Sequence, residues 1–253
     1  MSIRVYLSGR ICVEAEEQLV IDERQFRRRQ RRLLFVYLVT ERDWSVPREE
    51  LAKIMWPGET PHTWEMSLSA LISGIRGLLG TPPLVQRGVS LSRGFGHKGY
   101  CCRRTPGWIL KRALPPSTRH RALCGPATRC GCLGPATAAV NVARRPFLAG
   151  IEGDWVESQR RRQERVRLRA LDCISQMWLA GNEPQLAVEA ATEAIELDPF
   201  REASYQFLMR AYGAAGNSAR GLRVYRRLRE LLQEELGTGP SPETDSVYNQ
   251  LLR

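Results

Sequence analysis

The sequence predicts a mainly α protein in two parts: a small α+β domain at the N-terminus, followed by an all-α domain of repeated helix pairs. Two observations carry this prediction. Residues 3 to 80 pass from the two-residue alternation of strands to the spacing of amphipathic helices. Residues 171 to 225 instead match one another at an interval of 34 residues, which is typical of stacked helix pairs. With 253 residues, the chain is long enough for each part to bury its own core.

Short alternating apolar bursts at the N-terminus predict three antiparallel strands between residues 3 and 21, separated by Gly9 and by Glu16-Glu17. A helical pattern follows from Phe26 to Thr40, with several arginines around its first two turns. Arg28 and Arg31 belong to this group. Two interpretations stay open for these arginines, a solvated helix face and contact with phosphate.

The stretch from Ser45 to Gly80 predicts two helices joined by a turn. The first helix should run from Pro47 to Trp56, and the second from an N-cap at Thr60 to about Leu79. In a helix–turn–helix the second helix enters the DNA major groove. Its outer side carries mostly small residues, so a bulky partner can approach it closely. The positions predicted to face DNA on and before this helix are Thr60, His62, Thr63, Ser67, Ala70, Ser73 and Gly74.

After this helix Pro82-Pro83 interrupts the chain, and apolar pairs on both sides of Arg87-Gly88 predict a β-hairpin. Arg87 would lie near its turn and Arg93 at its far end. Strands, three helices and a terminal hairpin form a winged helix. Residues 1–97 resemble the OmpR-type winged helix of bacterial response regulators, and the resemblance rests on three stretches. These are Arg48-Glu49-Glu50-Leu51, Met55-Trp56-Pro57 and Ile75-Arg76-Gly77-Leu78-Leu79.

Arg76 is the predicted phosphate anchor. The resemblance places Gly74 where related proteins often carry a basic residue. With few long donors on its outer side, the helix is expected to discriminate only modestly by direct contacts to base edges. The arginines and the hairpin are expected to supply most of the affinity. The complete set of predicted DNA-binding residues is Arg28, Arg31, Thr60, His62, Thr63, Ser67, Ala70, Ser73, Gly74, Arg76, Arg87 and Arg93.

The C-terminal part carries the 34-residue period, with helix breaks at Gly181-Asn182 and Gly216-Asn217, and it predicts tetratricopeptide-like repeats. The pairs at this spacing are Leu171 with Tyr205, Ile174 with Leu208, Trp178 with Tyr212, Ala187 with Gly221 and Ala191 with Tyr225. Three further stretches closely resemble the bacterial transcriptional activation domain. They are Arg145 to Val156, Leu197 to Glu202, and Glu234 to Thr244.

A winged helix followed by that domain is the architecture of SARP-type transcriptional regulators. The resemblance implies an activator that binds double-stranded promoter DNA without a cofactor. It further implies that the repeats engage RNA polymerase or a second copy of the regulator on the DNA. The alternative function is a repeat-based interaction scaffold with weak or non-specific DNA binding, which Gly74 and the abnormal middle segment suggest.

Residues 98–132 fit neither flank, since they are rich in Arg, Cys, Pro and Gly and show no defensible helical or strand period. Three explanations compete for them. One is a zinc site formed by His97 and five cysteines, Cys101, Cys102, Cys124, Cys130 and Cys132, although their spacing is unusual for zinc. Another is a basic disordered linker that binds nucleic acid. The favoured hypothesis is a shifted reading frame within an otherwise intact gene. The predicted division is therefore 1–97, 98–132 and 133–253.

Composition narrows the function class. A formal net charge of +11 favours polyanions as partners. No apolar run is long enough to span a bilayer, and early acidic residues are unlike a signal peptide, so the chain is expected to be cytoplasmic. Seven cysteines, an odd number, argue against a disulfide framework. No catalytic residue set is persuasive around the three histidines. The chain is therefore expected to act by binding, not as an enzyme.

Overall fold

The computed structural model describes residues 3–42, 45–86, 89–93, 99–102, 108–111 and 133–252. The chain forms two compact units. The N-terminal unit comprises residues 1–112 and 145–161, and the repeat unit comprises residues 113–144 and 162–253. The predicted domain boundaries at residues 97 and 133 stay a prediction, and this grouping differs from them by placing residues 145–161 with the N-terminal unit.

The N-terminal unit opens with the three predicted strands, β1 (Ile3–Tyr6), β2 (Cys12–Ala15) and β3 (Gln18–Ile21). They pair antiparallel, as expected, and their inward side chains are buried. A further strand from the middle of the chain, Trp108–Lys111, runs parallel to β1, so that Ile3 lies opposite Trp108. No period in the sequence predicted this pairing, because its hydrogen bonds join segments about a hundred residues apart.

The first helix starts later than predicted. A short 3₁₀ helix spans Glu23–Phe26, and α1 spans Arg29–Thr40. Between them Arg27 has φ 58°, a left-handed conformation that no α-helix continues through. Asp22 and Gln25 form a capping box around the 3₁₀ helix.

The helix pair follows as α2 (Arg48–Met55) and α3 (Trp64–Leu79). The start of α3 at Thr60 is wrong. Thr60 is exposed and precedes a turn in which the Trp64 N–H donates to the Pro61 carbonyl at 2.9 Å. The N-cap is Thr63, whose carbonyl accepts from the Ser67 N–H at 3.1 Å. Pro61 lacks an N–H and restricts Thr60 to extended backbone, which favours this later start.

The hairpin is displaced from its predicted position. Pro82–Val85 is a short helix, α4, because two prolines at its first positions suit a helical start after Thr81. The wing is formed instead by β5 (Leu91–Arg93), antiparallel to β6 (Gly99–Cys102). On its other edge β6 pairs with β4 (Val46–Pro47). The strand at Trp108–Lys111 is β7, and the two sheets have the orders β3-β2-β1-β7 and β4-β6-β5.

Residues 145–161 complete the core of the N-terminal unit. Phe147, Leu148, Ile151 and Val156 are all buried there with side chains of α1, α2 and α3. The chain is joined to the sheet by a hydrogen bond from the Gly9 N–H to the Pro146 carbonyl at 2.8 Å.

The repeat unit contains α5 (Leu133–Ala143), the part of α6 (Asp154–Ala180) from residue 162 onward, α7 (Pro184–Leu197), α8 (Glu202–Ala214), α9 (Ser218–Leu236) and α10 (Pro242–Leu251). Both Gly-Asn sequences lie between helices, so the predicted helix breaks are confirmed. Leu251 packs against α8 and α9, where a β-carbon on Gly213 or Gly221 would lie 2.6 or 2.7 Å from its methyl groups. In the described part of the chain, no helix combines the length and apolarity needed to cross a membrane.

Candidate nucleic-acid interface

Helix α3 has a buried side and an exposed side of small residues. Leu68, Leu71, Ile72, Ile75 and Leu79 fill the core, which fixes the rotation of the helix about its axis. The opposite side exposes Thr63, Ala70, Ser73 and Gly77, while Ser67 and Gly74 are half-buried at one flank. The predicted reading positions Thr63, Ser67, Ala70, Ser73 and Gly74 therefore share one broad face of α3. Thr60 and His62 precede the helix and are exposed.

Met66 also belongs to this face and was missed by sequence reasoning. Its side chain is 71% exposed, one helical turn from both Thr63 and Ala70. An apolar residue such as methionine is usually assigned to the core. Its spacing of three residues from Thr63 nevertheless places it on the same side of the helix as the predicted DNA-facing residues. An exposed methionine gives the face one long, flexible apolar side chain among small residues.

Arg31 of α1 lies against one flank of α3. A β-carbon built on Gly74 would lie 2.5 Å from the Arg31 Cζ. The Arg31 Nε is enclosed and has no hydrogen-bond partner in the described part of the chain. The structure therefore brings together two predicted site residues that lie more than forty positions apart.

The other flank of α3 is held by two arginines around Tyr100. The guanidinium carbons of Arg76 and Arg48 lie 5.6 and 6.0 Å from the centre of its ring. The Arg76 Nε donates to the Leu91 carbonyl of β5 at 3.2 Å, which ties α3 to the wing. Arg48 donates to the Ser69 Oγ at 3.1 Å and to the Glu65 carbonyl at 3.2 Å. Arg48 and Tyr100 are additions to the predicted site, and Tyr100 comes from the segment with no predicted period.

The structure gives fewer contacts for the remaining predicted DNA-binding arginines. Arg28 is exposed at the N-cap of α1 and makes no capping bond with its side chain. Arg93 lies in β5 opposite Tyr100, and only its backbone is described. Arg87 lies outside the described residues.

Tyr37 links α1 to α2 behind this surface. Its hydroxyl donates to the Glu50 Oε1 at 2.5 Å, and its ring meets Trp155 edge-on at a centroid distance of 4.8 Å. Burial, then the bond to Glu50, raise the pKa of Tyr37 well above its ordinary value. The phenol therefore stays a neutral donor, which suits a structural role.

The arginines of α6 divide into structural and exposed ones. Arg160 donates to the carbonyls of Phe147, Leu148 and Ile151, and Arg167 pairs with Glu193. Arg161, Arg162, Arg165 and Arg169 are exposed. A second exposed basic group lies on α9, at Arg220, Arg223, Arg226, Arg227 and Arg229.

No group of three or more His, Cys, Asp or Glu side chains that could hold a metal occurs among the described residues. The proposed zinc ligands His97, Cys124, Cys130 and Cys132 lie outside the described residues, and Cys101 and Cys102 are described only in their backbone.

Comparison with known proteins found a matching family model, curated relatives and a solved structure. Residues 127–252 match the family model described as the bacterial transcriptional activator domain. The regulatory protein AfsR of Streptomyces griseus and that of Streptomyces coelicolor are each 26% identical over 231 residues. Each alignment covers 88% of this chain and 22% of the relative. The chain thus spans under a quarter of the length of these relatives.

A solved structure of Mycobacterium tuberculosis EmbR, in complex with a low-affinity phosphopeptide, has the same fold. The match has a TM-score of 0.75 and 19% sequence identity, and it covers 100% of this chain and 65% of that one.

Proposed function

The chain belongs to the SARP-type family of bacterial transcriptional regulators, and from this premise we propose that it is a cytoplasmic activator that binds promoter DNA through α3. The observation that carries the proposal is the exposed small-residue face of α3 with arginines on both flanks. Small side chains let the helix backbone come close to base edges in the major groove. The flanking guanidiniums are suited to phosphates on either side.

In this proposal the wing and α1 mainly position the protein on the duplex. The bond from Arg76 to β5 supports this role, because it holds the wing strand beside α3. The proposed contacts are mostly to phosphate, so affinity should fall steeply with salt.

The test compares labelled promoter fragments from the gene's own neighbourhood with random duplexes of equal length, over a series of salt concentrations. We expect tighter binding to at least one promoter fragment, with a steep salt slope on both kinds of DNA. Equal affinity for promoter and random DNA would instead support the scaffold function, and no binding to any duplex would overturn the proposal.

For the repeat unit we propose a protein partner, either RNA polymerase or a second copy of the chain on DNA. The exposed basic faces of α6 and α9 support a partner surface with complementary acidic residues. Light scattering with and without a promoter fragment distinguishes self-association from monomeric binding. Pull-down of purified polymerase tests the other partner directly.

A further inference from the structure

The contact between Arg31 and Gly74 leaves no room for a side chain at position 74. A β-carbon there would lie 2.5 Å from the Cζ of Arg31, 2.6 Å from its Nε and 2.7 Å from its Nη2. The guanidinium therefore rests directly on the backbone of α3. We propose that Gly74 forms a seat, meaning the space left by its missing side chain, in which the Arg31 guanidinium lies at the edge of the exposed α3 face. From this position the guanidinium binds a phosphate of double-stranded DNA. This inference rests on the proposed function.

The neighbours of the seat explain why a donor is useful there. Ala70 and Gly77 lie one helical turn to either side of Gly74, and both are exposed and lack side-chain donors. A guanidinium carries five N–H donors in a planar fork that matches a phosphate. Within the described ranges the enclosed Arg31 Nε has no hydrogen-bond partner, while the residue as a whole is partly exposed.

From the sequence alone, Gly74 indicates that α3 has lost the hydrogen-bond donor of the basic residue that related proteins often carry there. Its contact with Arg31 assigns it the opposite role, since the donor comes from α1 and needs a glycine on α3. Arg48 shows the contrast on the other flank. Arg48 donates one hydrogen bond to the Ser69 Oγ, so on this flank the arginine contacts a side chain of α3.

The test is a double-mutant cycle of Arg31→Ala, Gly74→Ala and both together, measured by anisotropy with a labelled duplex over a salt series. Each single variant should lose about tenfold in affinity and lower the salt slope by about one phosphate equivalent. The double variant should lose no more than either single one, because each change removes the same contact. Additive losses, or unchanged affinity in Gly74→Ala, would overturn the seat.

Thermal unfolding checks that the variants fold properly. An alanine substitution at another helix glycine serves as the matched control for affinity. Alanine is a better helix former than glycine, and the obstructing group is the end of a flexible side chain, so Gly74→Ala should not unfold earlier than the wild type. Gly134→Ala in α5, where nothing lies within 4 Å of an added β-carbon, should leave affinity unchanged.

The contact between Arg31 and Gly74 can also be tested without DNA, by hydrogen exchange of the Arg31 side chain. In the wild type the Arg31 Nε–H should exchange slowly with water because it is enclosed, and Gly74→Ala should speed that exchange. An affinity loss without faster exchange would contradict the seat. If the wild type binds no duplex at all, the proposed function fails. If the wild type binds DNA but the losses in the double-mutant cycle are additive, only the seat fails.

Discussion

At the residue scale, the arginines around α3 have separate structural duties. The Arg76 Nε–H donates to the Leu91 carbonyl, and the guanidinium covers the Tyr100 ring. Its Nη groups make no hydrogen bond to the described residues. The Arg31 Nε has no hydrogen-bond partner among the described residues, and the guanidinium lies directly against Gly74. Specific contacts therefore orient Arg76, while the absence of a side chain at Gly74 orients Arg31.

Replacing Arg76 with alanine should weaken binding to all duplexes and lower the salt slope by about one. The physical reason is the loss of a phosphate contact that carries no sequence information. Arg4→Ala on β1, which is paired with Glu17 at 3.6 Å, is the control. A salt slope identical to that of the wild type would remove Arg76 from the phosphate contacts.

Replacing Thr63 should change sequence preference instead of general affinity. Thr63 is exposed at the N-terminus of α3, the end of a recognition helix that approaches base edges. Selection from a random duplex library with wild type and Thr63→Ala measures the preference. The same selected motif for both proteins would show that Thr63 does not read DNA.

At the element scale, the C-terminal helix α10 is attached through its first turn. The Glu202 Oε2 accepts from the Ser241 N–H at 2.8 Å, the Ser241 Oγ at 2.7 Å and the Thr244 Oγ1 at 2.5 Å. Partial burial by itself would raise the pKa of Glu202, but the bonds from Thr244 and Ser241 outweigh it and lower the pKa below its ordinary value.

A carboxyl group with a lowered folded-state pKa stabilises the fold above its unfolded pKa of about 4.3, and loses that contribution as pH falls through the folded value. Glu202→Gln should therefore destabilise the docking of α10 at neutral pH by about 1.5 kcal/mol. Amide exchange within Pro242–Leu251 measures this. The difference between variant and wild type should shrink below pH 4, and a constant difference would contradict the assignment.

The sequence predicted a β-hairpin after α3, but the structure forms it from other residues. Its existence followed from turn residues and apolar pairs, yet β5 pairs with β6 and the predicted first strand is the helix α4. The sequence Thr81-Pro82-Pro83 is compatible with both a break and a helical start. Only the pairing of Leu91 with Cys102 and Val46 with Tyr100 decides which residues form the sheet.

At the scale of the whole molecule, residues 145–161 are part of the N-terminal core. Phe147 is 3% exposed, and its ring lies 5.9 Å from that of Trp155. A segment that resembles the activation domain in sequence therefore contributes buried side chains to the N-terminal unit. An isolated fragment ending at residue 112 would lack these side chains.

Phe147→Ala in the full chain should destabilise the N-terminal unit by about 3–5 kcal/mol, the usual result of removing a buried aromatic ring. Hydrogen exchange of amides in β1 and α1 reports that unit. Phe200→Ala, at a side chain that is 44% exposed, is the matched control and should change exchange little. Unchanged exchange in Phe147→Ala would mean that the core does not depend on this segment.

The sequence by itself determined the features with a local physical cause. The two-residue alternation encoded β1, β2 and β3, the 34-residue period encoded the helix pairs, and helical spacing encoded the small outer face of α3. The strand and helix patterns relate residues within one or two turns of each other, and the 34-residue period is a direct match between sequence positions. All three can therefore be read without knowing the fold.

The tertiary structure alone decided the contacts between distant segments. It paired β1 with β7, placed the guanidiniums of Arg48 and Arg76 over the Tyr100 ring, and set Arg31 against Gly74. Such contacts depend on which surfaces fill one another, and no local period records that choice. For this reason the sequence predicted that α3 reads DNA, while only the folded chain showed which arginines lie at its flanks.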